Sequence, residues 1–306
     1  MIANEMVMGK MKKKKTNLFK QEERVAFLFI LIPLIGFSLF TLFSMGASFY
    51  YSFTNFNPLR DNVKFVLFDN YIKMFKDIEF WEACLNTILL MASLPIGMFL
   101  GLLLAVYLKN LSHGSKALRI IYYLPVVTSA VAVNLVWRYI FQANSGLFNL
   151  VLGLTHVNNG GPIYWLGTNK WLIKAALVIK NTWGGIGSTM ILYLAGLNNI
   201  SDSYYEAADI DGASNFEKFK YITLPLVKPT TFYLLITGVI GGLQSYTDAV
   251  VFAEGHEGTR TIVWYIWNYG INNSRYGYAS AVSAFLAVVI MIITIIQFKK
   301  TKMLDI

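Results

Sequence analysis

Residues 206–229 read EAADIDGASNFEKFKYITLPLVKP and lie between two apolar segments long enough to cross a bilayer. Ser201 or Asp202 just upstream can cap a helix by accepting from an orphan amide, and Glu206 and Asp209 suit the positive end of its dipole. Ala207 and Ala208 permit close approach, and Gly212 lets the backbone turn without a Cβ in the way. Phe216, Phe219 and Ile222 continue an apolar stripe until Leu224-Pro225 ends the helix, and Pro229 opens the next apolar segment. The stretch therefore predicts a short amphipathic helix at a membrane surface. On these residues alone it either rests on lipid or docks a partner, and both readings stay open.

The rest of the chain explains why a membrane is there at all. Of 306 residues, 56% are hydrophobic and only 14% charged, with a mean hydropathy of +0.50, which is more apolar surface than a soluble domain of this size buries. The fold class expected is all-α, a polytopic membrane protein. A net charge of +9 raises the question of nucleic acid, but the basic residues flank apolar segments instead of gathering on one soluble face or arm. The lone Cys84 excludes an internal disulfide framework and any multi-cysteine metal site.

Six apolar segments are long enough to span about 30 Å of hydrocarbon. They fall near Val25–Phe49, Leu85–Leu108, Leu118–Phe141, Trp171–Leu197, Thr231–Phe252 and Tyr278–Phe298. The division expected is a tail over 1–24, a six-span domain over 25–298 with its surface loop at 198–229, and a second tail over 299–306. The first segment is too long for a signal-peptide core and no small-residue cleavage site follows, so it reads as a retained span.

Lysine and arginine placement orients the chain. Lys10, Lys12 to Lys15, Lys20 and Arg24 precede the first span; Lys109, Lys116 and Arg119 follow the second; Lys218, Lys220 and Lys228 follow the fourth; Lys299, Lys300 and Lys302 end the chain. With six spans all four regions share one side, and the positive-inside rule puts that side and both termini in the cytoplasm. The opposite loops are aromatic and neutral, and Asn144 to Asn169 should carry little regular structure. Between Asp69 and Trp81, helical spacing of Tyr71, Ile72, Phe75 and Ile78 predicts a short helix on the outer surface.

The spacing Glu206-Ala207-Ala208, Gly212, Ile222, Leu224-Pro225 resembles the EAA loop of permease subunits in binding-protein-dependent ABC importers. Asp211-Gly212-Ala213 and Phe219 are similar to its carbohydrate branch, of the maltose and glycerol-phosphate type. Tyr123-Leu124-Pro125-Val126-Val127, Val136-Trp137-Arg138, Phe141 and Gly146, Ala195-Gly196-Leu197, and Tyr276 to Ala281 extend the resemblance from about Phe27 to the C-terminus. A departure falls at Ala253-Glu254-Gly255-His256-Glu257, where much of the family has a T-x-G-G-P pattern.

The resemblance implies a non-enzymatic subunit of a sugar importer in a bacterial cytoplasmic membrane. Its implied partners are a second permease, two cytoplasmic ATPases that hold ATP and Mg, and an extracytoplasmic solute-binding protein. No G-x-x-x-x-G-K-[ST] phosphate loop is present in this chain, which fits that division of labour. Glu206, Ala207, Ala208, Gly212, Leu224 and Pro225 become the ATPase-docking group, with Glu206 the charge contact; otherwise Glu206 only stabilises a helix start.

A sugar site needs neutral donors and acceptors beside aromatic faces. Spans four and five supply Asn181, Thr182, Trp183, Gly184, Gly185 and Ser188, then Gln244, Ser245, Tyr246, Thr247 and Asp248, with Asn134 in span three a weaker candidate. The resemblance places substrate on these two spans, with Asn181, Gly185, Ser188 and Ser245 at comparable positions. For each, an interhelical hydrogen bond is the competing role. A charged solute such as glycerol-phosphate would call on Arg138 or Lys180. A self-sufficient carrier would need paired intramembrane charges or broken helices, with Asp248 as its acidic candidate. Gly97/Gly101 and Gly238/Gly242 form G-x-x-x-G pairs that favour helix packing, and His113, His156 and His256 lack metal-ligand spacing.

Overall fold

The computed structural model describes residues 25–60, 62–111, 113–154 and 161–301. The basic residues before Val25, His156 and Lys302 lie outside them. Regular structure among the described residues is helical, apart from a single antiparallel bridge between Thr54 and Phe65.

In chain order the helices are α1 (Val25–Tyr51), α2 (Asp69–Lys76), α3 (Ile78–Lys109), α4 (Ser115–Val127), α5 (Ala130–Ile140) and α6 (Leu147–Leu154). They continue with α7 (Lys170–Asn198), α8 (Ser203–Ile210), α9 (Asn215–Leu226), α10 (Lys228–Leu243), α11 (Ile262–Trp267) and α12 (Tyr276–Thr301). Three of these, α1, α3 and α12, are long and apolar enough to cross a membrane alone; counting the bent pairs α4/α5 and α9/α10 as single spans brings the number to five. The fourth expected span, α7, is 29 residues long but carries three lysines among its polar positions.

Several expected boundaries are corrected. The segment expected as span three is two helices that meet at 100° across Thr128 and Ser129. Pro125 removes an amide near the end of α4, Thr128 leaves the helical region, and its hydroxyl caps the Leu124 carbonyl at 2.8 Å. The segment expected as span five stops at Leu243; after a break, Asp248–Phe252 forms a π-helical turn. Span two begins at Ile78, seven residues early, because Asp77 caps it by accepting from the Glu79 amide at 2.9 Å. The same cap ends α2 before Trp81, so the surface helix expected over Asp69–Trp81 is shorter. The loop expected to lack structure contains α6, held by Asn149, which bonds the Ile163 carbonyl at 2.8 Å and the Trp165 indole at 3.2 Å.

Small residues set the close contacts that frame the bundle. A Cβ on Gly101 would strike the Thr189 side chain, and one on Gly187 would strike the Tyr122 carbonyl, so α3 and α4 both lie directly on α7. Gly238 and Gly242 likewise receive Leu94 and Met91 of α3. At Met91 and Ala92, α3 kinks one turn before Pro95, and the Leu94 amide takes the Met91 carbonyl that Pro95 cannot serve. Three apolar clusters result: one at the 206–229 end around Leu102, Leu108, Tyr193 and Leu197, one at the opposite end around Phe80, Tyr265 and Val282, and one around Phe141, Leu177 and Phe252. No residue of α1 from Val25 to Phe49 is buried, and its last turns meet α12.

Candidate functional site

The surface loop is two helices, not the one helix expected. Gly212, at φ +76°, ends α8 in a left-handed turn in which the Ala213 amide reaches the Ala208 carbonyl at 2.9 Å. Ser214 then opens α9 with a reciprocal capping box: its hydroxyl accepts from the Glu217 amide at 3.3 Å, and Glu217 Oε2 accepts from the Ser214 amide at 2.8 Å. The Ser214 hydroxyl, donating to Glu217 Oε2 at 2.7 Å, and then the Ser214 amide hold the Glu217 carboxyl below its ordinary pKa. Helical geometry continues through Pro225 to Leu226 after a π-helical turn at Phe219–Thr223; the chain then bends by 61° into α10. Asp202 precedes α8 but makes no side-chain cap.

Lys109, at the end of α3, ties this loop to the bundle. Its ammonium donates to the Leu197 carbonyl at 3.1 Å, lies 3.5 Å from Asp202, and sits 5.1 Å over the Tyr205 ring. A hollow of about 650 Å³ opens beside it, lined by Lys109, Asp202, Glu206, Asp209, Lys218 and Phe219 among others. Glu206, Ala207, Gly212, Leu224 and Pro225 are exposed and Ala208 is half-buried. The tips carry bare apolar side chains, Ile210 at 87% exposure and Phe216 at 70%. An exposed apolar pair beside a carboxylate-rimmed hollow has the chemistry of a docking surface.

Farther along the bundle, a cavity of about 290 Å³ lies between the α3 kink, α7 and the end of α10. Asn181, Gly185, Ser245 and Asp248 line it together with Thr87, Ser93, Gly97, Thr189 and Thr261. Gly185 and Gly241, where a Cβ would meet nothing within 4 Å, leave space that side chains would fill.

Residues 97–299 match the family described as binding-protein-dependent transport system inner membrane component. The chain belongs to this family. Among curated relatives, a probable ABC transporter permease protein, YesP, of Bacillus subtilis is 33% identical over 94% of this chain and 93% of its own length. The lactose transport system permease LacF of Rhizobium radiobacter is 33% identical over 77% of this chain and 80% of its own. Among solved structures, a chain of a bacterial alginate ABC transporter, in complex with an alginate pentasaccharide-bound periplasmic protein, superposes with a TM-score of 0.79 at 26% identity. That match covers 93% of this chain and 97% of the other. The relatives are ABC transporter permeases, transport components and not enzymes.

In this permease only four of the eight sequence-derived substrate residues share the cavity. The other four, Trp183, Ser188, Gln244 and Tyr246, are not among its lining residues. Trp183 packs its ring 5.4 Å from Trp137, Tyr246 packs 5.6 Å from Trp267, and Ser188 donates to the Gly185 carbonyl at 3.0 Å. Thr87 and Thr261, missed in the sequence, bond the backbone and face the space at once. Thr87 accepts from the Ile262 amide at 3.0 Å; Thr261 donates to the Ser245 carbonyl at 2.6 Å. A threonine inside an apolar run is the sequence signal they leave, and it marks many packing sites equally well.

Asp248 pairs with Lys180 of α7, and Asn134 of α5 joins both. The departing stretch 253–257 is well tied down: Glu254 and Gly255 adopt positive φ, the Gly255 amide reaches the Ala249 carbonyl at 2.8 Å, and Glu257 meets Lys170 at 3.0 Å. The lysine holds the Glu257 carboxyl below its ordinary pKa. His256 serves this loop by accepting from the Gly258 amide at 3.0 Å.

Proposed function

We propose that this chain is one permease subunit of an ATP-driven, binding-protein-dependent importer of sugars or oligosaccharides. The observation that carries the reading is the position of the exposed loop. It follows α7 directly and leads into α10 through one bend, and those two helices wall the cavity. A partner that grips α8 and α9 therefore moves both walls. Glu206 contacts a basic residue of the ATPase, Gly212 and the small pair Ala207-Ala208 permit close approach, and Leu224-Pro225 stiffens the exit into α10.

In this scheme two ATPases bind ATP and Mg outside this chain, a second homologous permease supplies the other half of the pathway, and an extracytoplasmic binding protein delivers the solute. Rigid-body rocking of α4 to α12 alternates the access of the cavity. The chain crosses a bacterial cytoplasmic membrane six times, α7 included, with both termini cytoplasmic. The neutral polar lining from Thr87, Asn181, Ser245 and Thr261 and the lactose specificity named for LacF favour a saccharide.

The test is affinity purification of the tagged chain from its native membrane, with mass spectrometry and an ATPase assay. A second permease and an ATP-hydrolysing subunit should co-purify, and saccharide with binding protein should stimulate hydrolysis. In the reconstituted complex, Gly212→Asp should cut uptake at least tenfold while hydrolysis persists; unchanged uptake would overturn the coupling role.

A further inference from the structure

Resting on the sugar-importer reading, one question is how the pathway treats charge. The two cations that a charged solute would call on, Lys180 in α7 and Arg138 in α5, are each matched by a carboxylate of this chain. Arg138 pairs with Glu254 at the surface. Lys180, with a side chain only 7% exposed, pairs with Asp248, whose side chain is 19% exposed and lines the cavity. The Lys180 ammonium also donates to Asn134 Oδ1 at 2.7 Å, and Asn134 Nδ2 donates to Asp248 Oδ1 at 3.1 Å.

Three separate segments thus converge on one carboxylate oxygen. A buried ammonium without a partner is costly, so the lysine holds the carboxylate in place as firmly as the reverse. Both donors use Oδ1, and the same aspartate lines the cavity. An ionised carboxylate accepts strongly from a hydroxyl. It repels a second carboxylate, and the neighbouring positive charge is already spent.

We infer that the Lys180–Asp248 pair is a charge filter: Asp248 receives a hydroxyl of a neutral saccharide, and the neutralised lysine leaves nothing to attract an acidic one. Lys180 and Asn134 are positioning residues.

The experiment measures binding of a neutral trisaccharide and of a uronate trisaccharide of equal length to the assembled importer in nanodiscs. Wild type should prefer the neutral sugar. Asp248→Asn leaves an unmatched ammonium and should shift the uronate-to-neutral affinity ratio about tenfold toward the uronate, the loss or gain of one charge-assisted hydrogen bond. Lys180→Gln should shift it the other way, and the double variant Lys180→Gln/Asp248→Asn should return it near wild type. If Asp248→Asn fails to assemble, the Lys180→Gln and double variants still decide the ratio. A ratio unmoved across the assembled variants would make the pair a structural staple and overturn the inference. Binding of neither sugar by wild type would instead overturn the sugar-importer reading itself.

Discussion

Lys218 donates to Asp209 at 2.6 Å across the Gly212 turn, linking α9 back to α8. Asp209 is 60% exposed, so the pair is worth less than about 1 kcal/mol to folding. Its position matters more than its strength, because it bridges the two arms that a partner would load together. Lys218→Ala should leave the melting temperature of the purified complex nearly unchanged and lower the ratio of solute moved to ATP hydrolysed. A ratio equal to wild type in proteoliposomes would remove this pair from coupling.

Gly184 and Gly187 differ by one helical turn and should differ sharply on substitution. Gly187 faces the Tyr122 carbonyl and Gly184 faces open space. Gly187→Ala should force α4 off α7 and destabilise by about 1–3 kcal/mol, whereas Gly184→Ala should be neutral or stabilise by up to about 1 kcal/mol. Thermal unfolding of both variants in detergent checks the contrast.

The capping box at Ser214 should respond to acid. The Glu217 carboxyl is held below its unfolded value of 4.5 by hydrogen bonds from the Ser214 hydroxyl and amide, which the ionised form accepts more strongly than the protonated one. Its contribution is therefore complete above pH 4.5 and disappears as pH falls through the lower folded value. Hydrogen exchange corrected for intrinsic rates should show the Ser214 and Glu217 amides protected at pH 6 and losing protection near pH 3. Glu217→Gln, which can still accept through its amide oxygen, should flatten that dependence.

Thr261 is 1% exposed and serves two backbone groups, donating to the Ser245 carbonyl at 2.6 Å and accepting from the Trp264 amide at 3.2 Å. Thr261→Val keeps the shape and strands both, which should cost about 2–4 kcal/mol. Thr261→Ser should recover most of the loss. Equal melting temperatures for the valine and wild-type proteins would show that solvent reaches these groups.

Much of this arrangement was readable because the bilayer imposes a simple rule on composition. Long apolar runs at Val25, Leu85 and Tyr278 could be nothing but membrane-length helices, and Gly212 could turn where other residues would strain. Hydropathy is blind to direction, however. The run through Thr128-Ser129 stays apolar while the backbone breaks, because a threonine hydroxyl can satisfy a freed carbonyl without changing the average. Capping by Asp77 and by the Ser214–Glu217 pair is written in single residues that also occur in many loops. The cavity was half legible: Asn181, Gly185, Ser245 and Asp248 are polar or small where burial makes that expensive. Its other wall, from Thr87 and Ser93, depends on the α3 kink. The joining of Lys180 to Asp248, 68 residues apart, depends on folding itself.

The unbroken length of α7 makes it a lever. Its 29 residues extend about 43 Å at 1.5 Å per residue, and Asn181 stands roughly 26 Å from the loop end. Pivoting by about 5° at that end displaces Asn181 by only about 2 Å, close to the difference between making and losing a hydrogen bond. The same swing carries the far tip almost 4 Å, so a stroke small enough to break one hydrogen bond at Asn181 is already amplified at the end of α7 opposite the exposed loop.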